Sequence, residues 1–180
     1  MAVRLMLAGA IASASLAFLP PALAFPESAL LGHTGGFGEE SCASCHFGGP
    51  QGEDIALRVD GPDVYAPGER YRFFIRVMDA GAAVAGFQLA FRFEDGSNAG
   101  LLEMGDGEGQ TGTLDDVIYA SHTAPQRMDE GAAVWEFHWT APDASSGPVM
   151  LNAAAVSGAD DQSPIGDNVH ELALEIGPAD

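Results

Sequence analysis

From about residue 63 onward, apolar and polar positions alternate with a period of two. Tyr71, Phe73, Ile75 and Val77 alternate with Arg70, Arg72, Phe74 and Arg76. Phe87, Leu89, Phe91 and Phe93 alternate with Gln88, Ala90 and Arg92. Trp135, Phe137 and Trp139 flank Glu136 and His138, and two further runs cover Val149, Leu151, Ala153 and Ala155, then Leu172, Leu174 and Ile176. Successive side chains on a strand point to opposite faces, so each run predicts a strand with one apolar face. Ile55-Leu57-Val59 and Val117-Ile118-Tyr119 are shorter strand candidates.

Turn signals separate the runs: Ala66-Pro67-Gly68, Glu94-Asp95-Gly96-Ser97, Ala141-Pro142-Asp143 and Ser163-Pro164. No amphipathic helix stands out after the first residues. Seven or eight short strands with regular turns predict an all-β fold, an antiparallel β-sandwich over residues 63–180. Residues 25–62 read differently. Gly32, Gly35, Gly36, Gly38, Gly48, Gly49 and Gly52 crowd this segment. It is too poor in apolar residues to build its own core and is expected to lie on the sandwich, on a cofactor, or on both.

Residues 1–24 carry the marks of a secretory signal. Arg4 supplies a positive charge, Leu5 to Leu19 is almost wholly apolar, Pro20-Pro21 ends any helix, and Ala22-Leu23-Ala24 offers small residues for cleavage. The apolar run is short of the ~20 residues that span a bilayer. Cleavage after Ala24 would leave a chain starting at Phe25, expected to be soluble and periplasmic or extracellular.

Charge narrows the partners. Seven Lys+Arg, all of them arginine, face 26 Asp+Glu, for a formal net charge of −19. Such a surface repels nucleic acid and anionic membranes and steers a basic protein partner. The acidic groups, such as Glu39-Glu40, Asp115-Asp116 and Asp160-Asp161, are spread like a solvated surface.

The only two cysteines stand in Cys42-Ala43-Ser44-Cys45-His46. In an exported chain, two cysteines would ordinarily form a disulfide. The C-x-x-C-H spacing instead marks covalent attachment of haem c. Two thiols three residues apart reach the two vinyl groups on one porphyrin edge, and the next histidine falls under the iron as proximal ligand. A thioredoxin-like C-x-x-C needs a strand before and a helix after. A structural zinc site needs four ligands. Neither context is evident here.

Haem iron takes a second axial ligand, commonly Met or His. The candidates are His33, His122, His138, His170, Met78, Met104, Met128 and Met150. His138 shares the polar phase of its strand with Glu136, and His170 begins the phase of Leu172 and Leu174. His33 sits in the Gly-rich segment, and His122 is read as a loop residue after a strand. Spacing alone leaves the choice open.

Several segments, in order, resemble one family. Thr34-Gly35-Gly36-Phe37-Gly38-Glu39-Glu40-Ser41-Cys42-Ala43-Ser44-Cys45-His46 is similar to a T-G-x-P-G-E-x-x-C-x-x-C-H opening. Tyr65-Ala66-Pro67-Gly68-Glu69-Arg70-Tyr71, Gly86-Phe87-Gln88-Leu89, Tyr119-Ala120-Ser121-His122-Thr123 and Trp135-Glu136-Phe137-His138-Trp139-Thr140-Ala141-Pro142 follow. They resemble exported bacterial reelin-like (reeler-type, "choice-of-anchor V") β-sandwich proteins. The resemblance implies an immunoglobulin-like sandwich with an N-terminal haem-binding arm, and it singles out His122 as distal ligand because His122 matches a motif position. Phe37 departs from the family's proline, and the family's usual C-terminal anchor has no counterpart.

The sequence therefore predicts a monohaem c-type, cytochrome-like protein of electron transfer, with Cys42 and Cys45 holding the haem, His46 proximal and His122 distal. The alternative is a reelin-like binding or adhesion module whose haem is structural or sensory. An enzyme or gas sensor would need an open sixth position. No spacing marks a Ser-His-Asp set, a phosphate loop or paired catalytic carboxylates.

Overall fold

The computed structural model describes residues 28–50, 56–105, 107–144 and 147–179. The signal segment, its cleavage point and Ile55 lie outside these residues. Among the described residues no helix is long and apolar enough to cross a membrane.

The chain folds as a β-sandwich of two sheets. A one-turn 3-10 helix spans Cys42–Ser44. The strands are β1 (Phe47–Gly48), β2 (Ala56–Asp60), β3 (Val64–Tyr65), β4 (Arg70–Met78), β5 (Val84–Phe93), β6 (Leu101–Met104), β7 (Gly109–Leu114), β8 (Val117–His122), β9 (Gln126–Arg127), β10 (Ala132–Thr140), β11 (Val149–Gly158) and β12 (Ile165–Pro178). The smaller sheet runs β2-β4-β10-β6. The larger runs β1-β12-β11-β5-β8-β7, with β3 beside β12 and β9 beside β5. Pairing is antiparallel except for the two-residue strands β1 and β3, which run parallel to β12. Strand β2 falls within residues 25–62, so the sandwich begins before the period-two pattern becomes clear.

The inner faces are the predicted ones. Phe73, Ile75 and Val77 of β4, Phe87, Leu89 and Phe91 of β5, and Trp135, Phe137 and Trp139 of β10 are buried together. Phe91 stacks on Trp139 at 4.7 Å between ring centroids, and Trp139 Nε1 donates to the Ala99 carbonyl at 2.7 Å. The indole is thus buried without an orphaned N–H.

Strand β5 departs from simple alternation, because its outward residues are buried too. Gln88 and Ala90 are 0% exposed and Arg92 4%. The Gly-rich arm covers them. Residues 34–41 close into a tight hairpin, bridged Thr34 to Ser41, with Gly35 N–H donating to the Glu40 carbonyl at 3.0 Å. Gln88 accepts from His33 N–H at 2.9 Å and donates to the Leu30 carbonyl at 2.8 Å. Arg92 pairs with Glu39 at 2.5 Å, and Tyr119 donates to the same carboxylate. Leu31 packs on Ala90, Val117 and Tyr119. Burial alone would raise the Glu39 pKa, but hydrogen bonds from Arg92, Thr34 and Tyr119 outweigh it and hold the carboxyl below its ordinary value. Burial, then the bond to Glu39, pushes the Tyr119 phenol up to about 12. Phe37, stacked over Arg92 at 5.0 Å, turns the hairpin at φ +53°. Proline cannot adopt that angle, so this turn cannot form with proline at position 37.

A second buried polar cluster joins β4 to β11 and β12. Ser157 Oγ donates to Asp79 at 2.7 Å and accepts from His170 Nε2 at 3.2 Å, while Asn168 donates to Asp79 at 2.8 Å. Burial, opposed by the Asp79 charge, lowers the His170 pKa below its usual value of 6.5.

Two outcomes follow from these clusters. Replacing Arg92 by Leu strands the Glu39 carboxylate and should cost about 3 kcal/mol or more in urea unfolding. His170 is held neutral in the fold, so its contribution is complete above the unfolded value of about 6.5 and is lost as pH falls below it. The melting temperature should therefore drop on acidification through that range, and His170→Gln should flatten the drop.

Candidate functional site

The 3-10 turn that carries the cysteines is built locally. Ser41 caps it by accepting from Ala43 N–H at 3.2 Å. Cys42's carbonyl accepts from the N–H groups of Cys45 at 3.2 Å and His46 at 2.9 Å, which closes the turn. Ser44 Oγ donates to the Ser41 carbonyl at 2.9 Å. The small pair Ala43-Ser44 is what lets both sulfurs share one turn. Both cysteines are half-buried free thiols. Burial pushes the Cys42 thiol up to about 12, the reverse of an activated thiolate for disulfide exchange.

After the turn the chain enters β1 and settles along β12. There His46 Nδ1 meets Asp167 Oδ2 at 2.6 Å. The His46 side chain is 23% exposed and the Asp167 side chain 9%.

His122 comes to the same cleft from β8, which is separated from β12 in the same sheet by β11 and β5. Strand β5 pairs with β8 over Gln88–Ala90 and with β9 at Val84–Ala85. Between these stretches Phe87 has no strand partner on that edge. The His122 imidazole fills the gap: Nδ1 lies 3.0 Å from the Phe87 nitrogen and 3.1 Å from its carbonyl oxygen. His122 is not the loop residue expected from sequence. It is the last residue of β8 and is 8% exposed. The polar stretch Ser121–Pro125 misled because the strand continues through Ser121, and both residues are buried beneath neighbouring elements. Burial lowers the His122 pKa, as does the charge of nearby His46, while the bond to Phe87 raises it. The ring lies so close to Gly86 that a Cβ there would sit 2.6 Å from His122 Cε1.

Cys42, Cys45, His46, His33 and His122 line one cleft. Val84 to Phe87 form its floor, Leu30, Pro125 and Val156 its apolar walls, and the loop Asp160–Ser163 one rim. The cleft opens to solvent and encloses about 160 Å³. His33 Nδ1 lies 3.2 Å from the Leu31 carbonyl and Nε2 3.7 Å from Glu40.

The other candidates lie elsewhere. His138 is on β10 of the smaller sheet, 3.6 Å from Glu136. His170 belongs to the Asp79 cluster. None of Met78, Met104, Met128 and Met150 is among the described residues that line the cleft, and Met104 and Met128 pack on the core. Among the described residues no group of three or more His, Cys, Asp or Glu side chains converges as a metal-binding cluster.

Sequence reading missed Asp167 and any role for Gly86. Asp167 is one acid among many, with no spacing to mark it, and Gly86 was only a letter in a strand motif. Ser157, His170 and Asp79 do meet, but the serine proton points to the carboxylate and no imidazole stands between them, so the cluster lacks the order of a nucleophilic triad.

No family model matches the chain, and no curated protein matches it. Solved structures similar to it include the CARDB domain of the PF1109 protein from Pyrococcus furiosus, in complex with di-metal ions. That pair shares 13% identity over 71% of this chain and 97% of the other, with a TM-score of 0.39. BslA, a bacterial hydrophobin, shares 9% identity over 73% of this chain and 99% of its own, with a TM-score of 0.40. A non-cellulosomal cohesin from Archaeoglobus fulgidus shares 10% identity over 64% and 90%, with a TM-score of 0.37.

Gly86→Ala should force His122 off the Phe87 backbone and cost about 1–3 kcal/mol of stability as an overpacked site. The same substitution made in a His122→Ala background should be nearly neutral. Thermal unfolding of the four proteins in this cycle measures the coupling.

Proposed function

We propose that this chain is an exported, monohaem c-type cytochrome-like protein that carries electrons outside the cytoplasm. Cys42 and Cys45 attach haem c, His46 is the proximal ligand and His122 the distal one. The observation behind this reading is the meeting of the C-x-x-C-H turn and a buried histidine in one cleft, each histidine with Nδ1 already engaged. Asp167 engages one and the Phe87 backbone the other; for His122, donation from Nδ1 to the Phe87 carbonyl, rather than acceptance from the Phe87 N–H, is the tautomer that frees Nε2 to ligate.

The residues present fit the group. The thiols are free, the lining is largely apolar, and burial favours the neutral form of His122. Bound haem would supply a one-electron couple. The chain's own part is to attach it, shield it and set its potential, and two imidazoles favour a lower potential than a His/Met pair. The acidic loop Asp160-Asp161 at the rim adds negative charge beside the site. With a net charge of −19 and no lysine, a basic redox protein is the fitting partner.

Export rests on the apolar stretch Leu5–Leu19 and Ala22-Leu23-Ala24, and on haem attachment to C-x-x-C-H outside the cytoplasm. The ordered likeness to reelin-like proteins supports the same arrangement.

Expression of the full chain in a bacterium equipped for c-type haem maturation tests the reading. The product should gain the mass of one haem and keep its haem absorbance after denaturation. Cys42→Ser with Cys45→Ser should abolish both. His122→Ala should keep the covalent haem but lose the six-coordinate low-spin spectrum, whereas His33→Ala should leave it unchanged. Wild-type protein without covalent haem sinks the proposal.

A further inference from the structure

Asp167 is the one buried carboxylate in the cleft whose role the attachment motif does not explain. Its only ion-pair partner among the described residues is His46. Among the described residues no arginine pairs with it. Burying a carboxylate is costly unless it is hydrogen-bonded, and His46 supplies that bond here. Strand β11 makes room for it: a Cβ on Gly158 would lie 2.1 Å from Asp167 Oδ1, so only glycine fits there. The Asp167 backbone carbonyl also accepts from Gly49 N–H at 2.9 Å, and Gly48 pairs in register with Asp167. One residue thus ties down the haem motif twice, by its side chain at His46 and by its backbone at Gly49.

We infer that Asp167 is a positioning residue: its carboxylate fixes His46 with the proton on Nδ1 and Nε2 free, and makes His46 a more electron-donating haem ligand. This rests on the haem reading above. A carboxylate behind a metal-bound imidazole sets its tautomer and raises its basicity. A more basic ligand, and an uncancelled negative charge close by, favour the higher charge of oxidised iron. The potential is therefore lower than His46 alone would set.

The backbone tie survives any substitution at this position, so the side chain can be tested separately. Asp167→Asn removes the charge at constant shape, and Asp167→Ala removes the contact. In haem-loaded full-length protein, Asp167→Asn should keep the covalent haem and shift the reduced-to-oxidised ratio at fixed potential at least tenfold toward reduced, or 59 mV for one electron. An unchanged potential in a variant with intact covalent haem overturns the inference. A second readout needs no haem. In 15N-histidine NMR of the unloaded protein, well above the ordinary histidine pKa of about 6.5, wild-type His46 should be the Nδ1–H tautomer. Asp167→Ala should lose that preference, and an unchanged tautomer also refutes the role. Absence of covalent haem in the wild type would instead defeat the haem reading, leaving the NMR result to judge the positioning.

Discussion

The pairing of Arg92 with Glu39 decides how the N-terminal arm lies on the sandwich. Arg92 projects from the outer face of β5, where a sheet residue would ordinarily meet water. Here it is covered, with its guanidinium between the rings of Phe37 and Tyr119 and against the Glu39 carboxylate. Burying such a pair is costly unless its remaining hydrogen-bonding positions are met. Thr34 and Tyr119 meet them on the acid side; Arg92 Nε is left without a partner. The glycines let the hairpin turn tightly enough to bring Glu39 back over the sheet. Gln88 adds a second hold by bonding to the arm's backbone at both Leu30 and His33.

Once the arm is held there, its next residues have little freedom. The 3-10 turn follows directly on the hairpin, and the chain then pairs with β12. The cysteines and His46 are thereby brought to the end of the sandwich where β5 changes partner from β8 to β9. That change leaves one stretch of β5 backbone without a strand neighbour, and His122 occupies it. The cleft is therefore formed by two irregularities of the sheet, an arm laid across it and a break in its edge pairing. Its polar groups are held by backbone and by strand residues, which suits a rigid cofactor better than a loop-built site would.

Much of the sandwich was legible because half-buried strands leave a plain period-two trace. Each of the five long aromatic or aliphatic runs is a strand with its apolar phase inward. The shorter β6, β7 and β9 were not foreseen. Leu101-Leu102-Glu103-Met104 is too short to show a period, and Gly109-Gln110-Thr111-Gly112-Thr113-Leu114 has almost no apolar phase. β5 misleads in the other direction. Its alternation predicts Gln88 and Arg92 at the surface, and they are buried because a segment distant in sequence covers them.

The C-x-x-C-H pattern of Cys42, Cys45 and His46 is legible in the chain alone, because it is a spacing of adjacent residues that no fold need bring together. The sandwich could be read as well, since the alternation that specifies a strand is also local. What the sequence could not determine were the contacts made across the fold: His122 against the backbone of Phe87, Asp167 behind His46, and Glu39 beneath Arg92. Asp and Glu are common in this acidic chain, and nothing local marks which of them makes a contact. The resemblance had already named His122, but only tertiary structure, by bringing β5, β8 and β12 and the arm to one end of the sandwich, decided which backbone and which of many carboxylates the cleft's histidines meet.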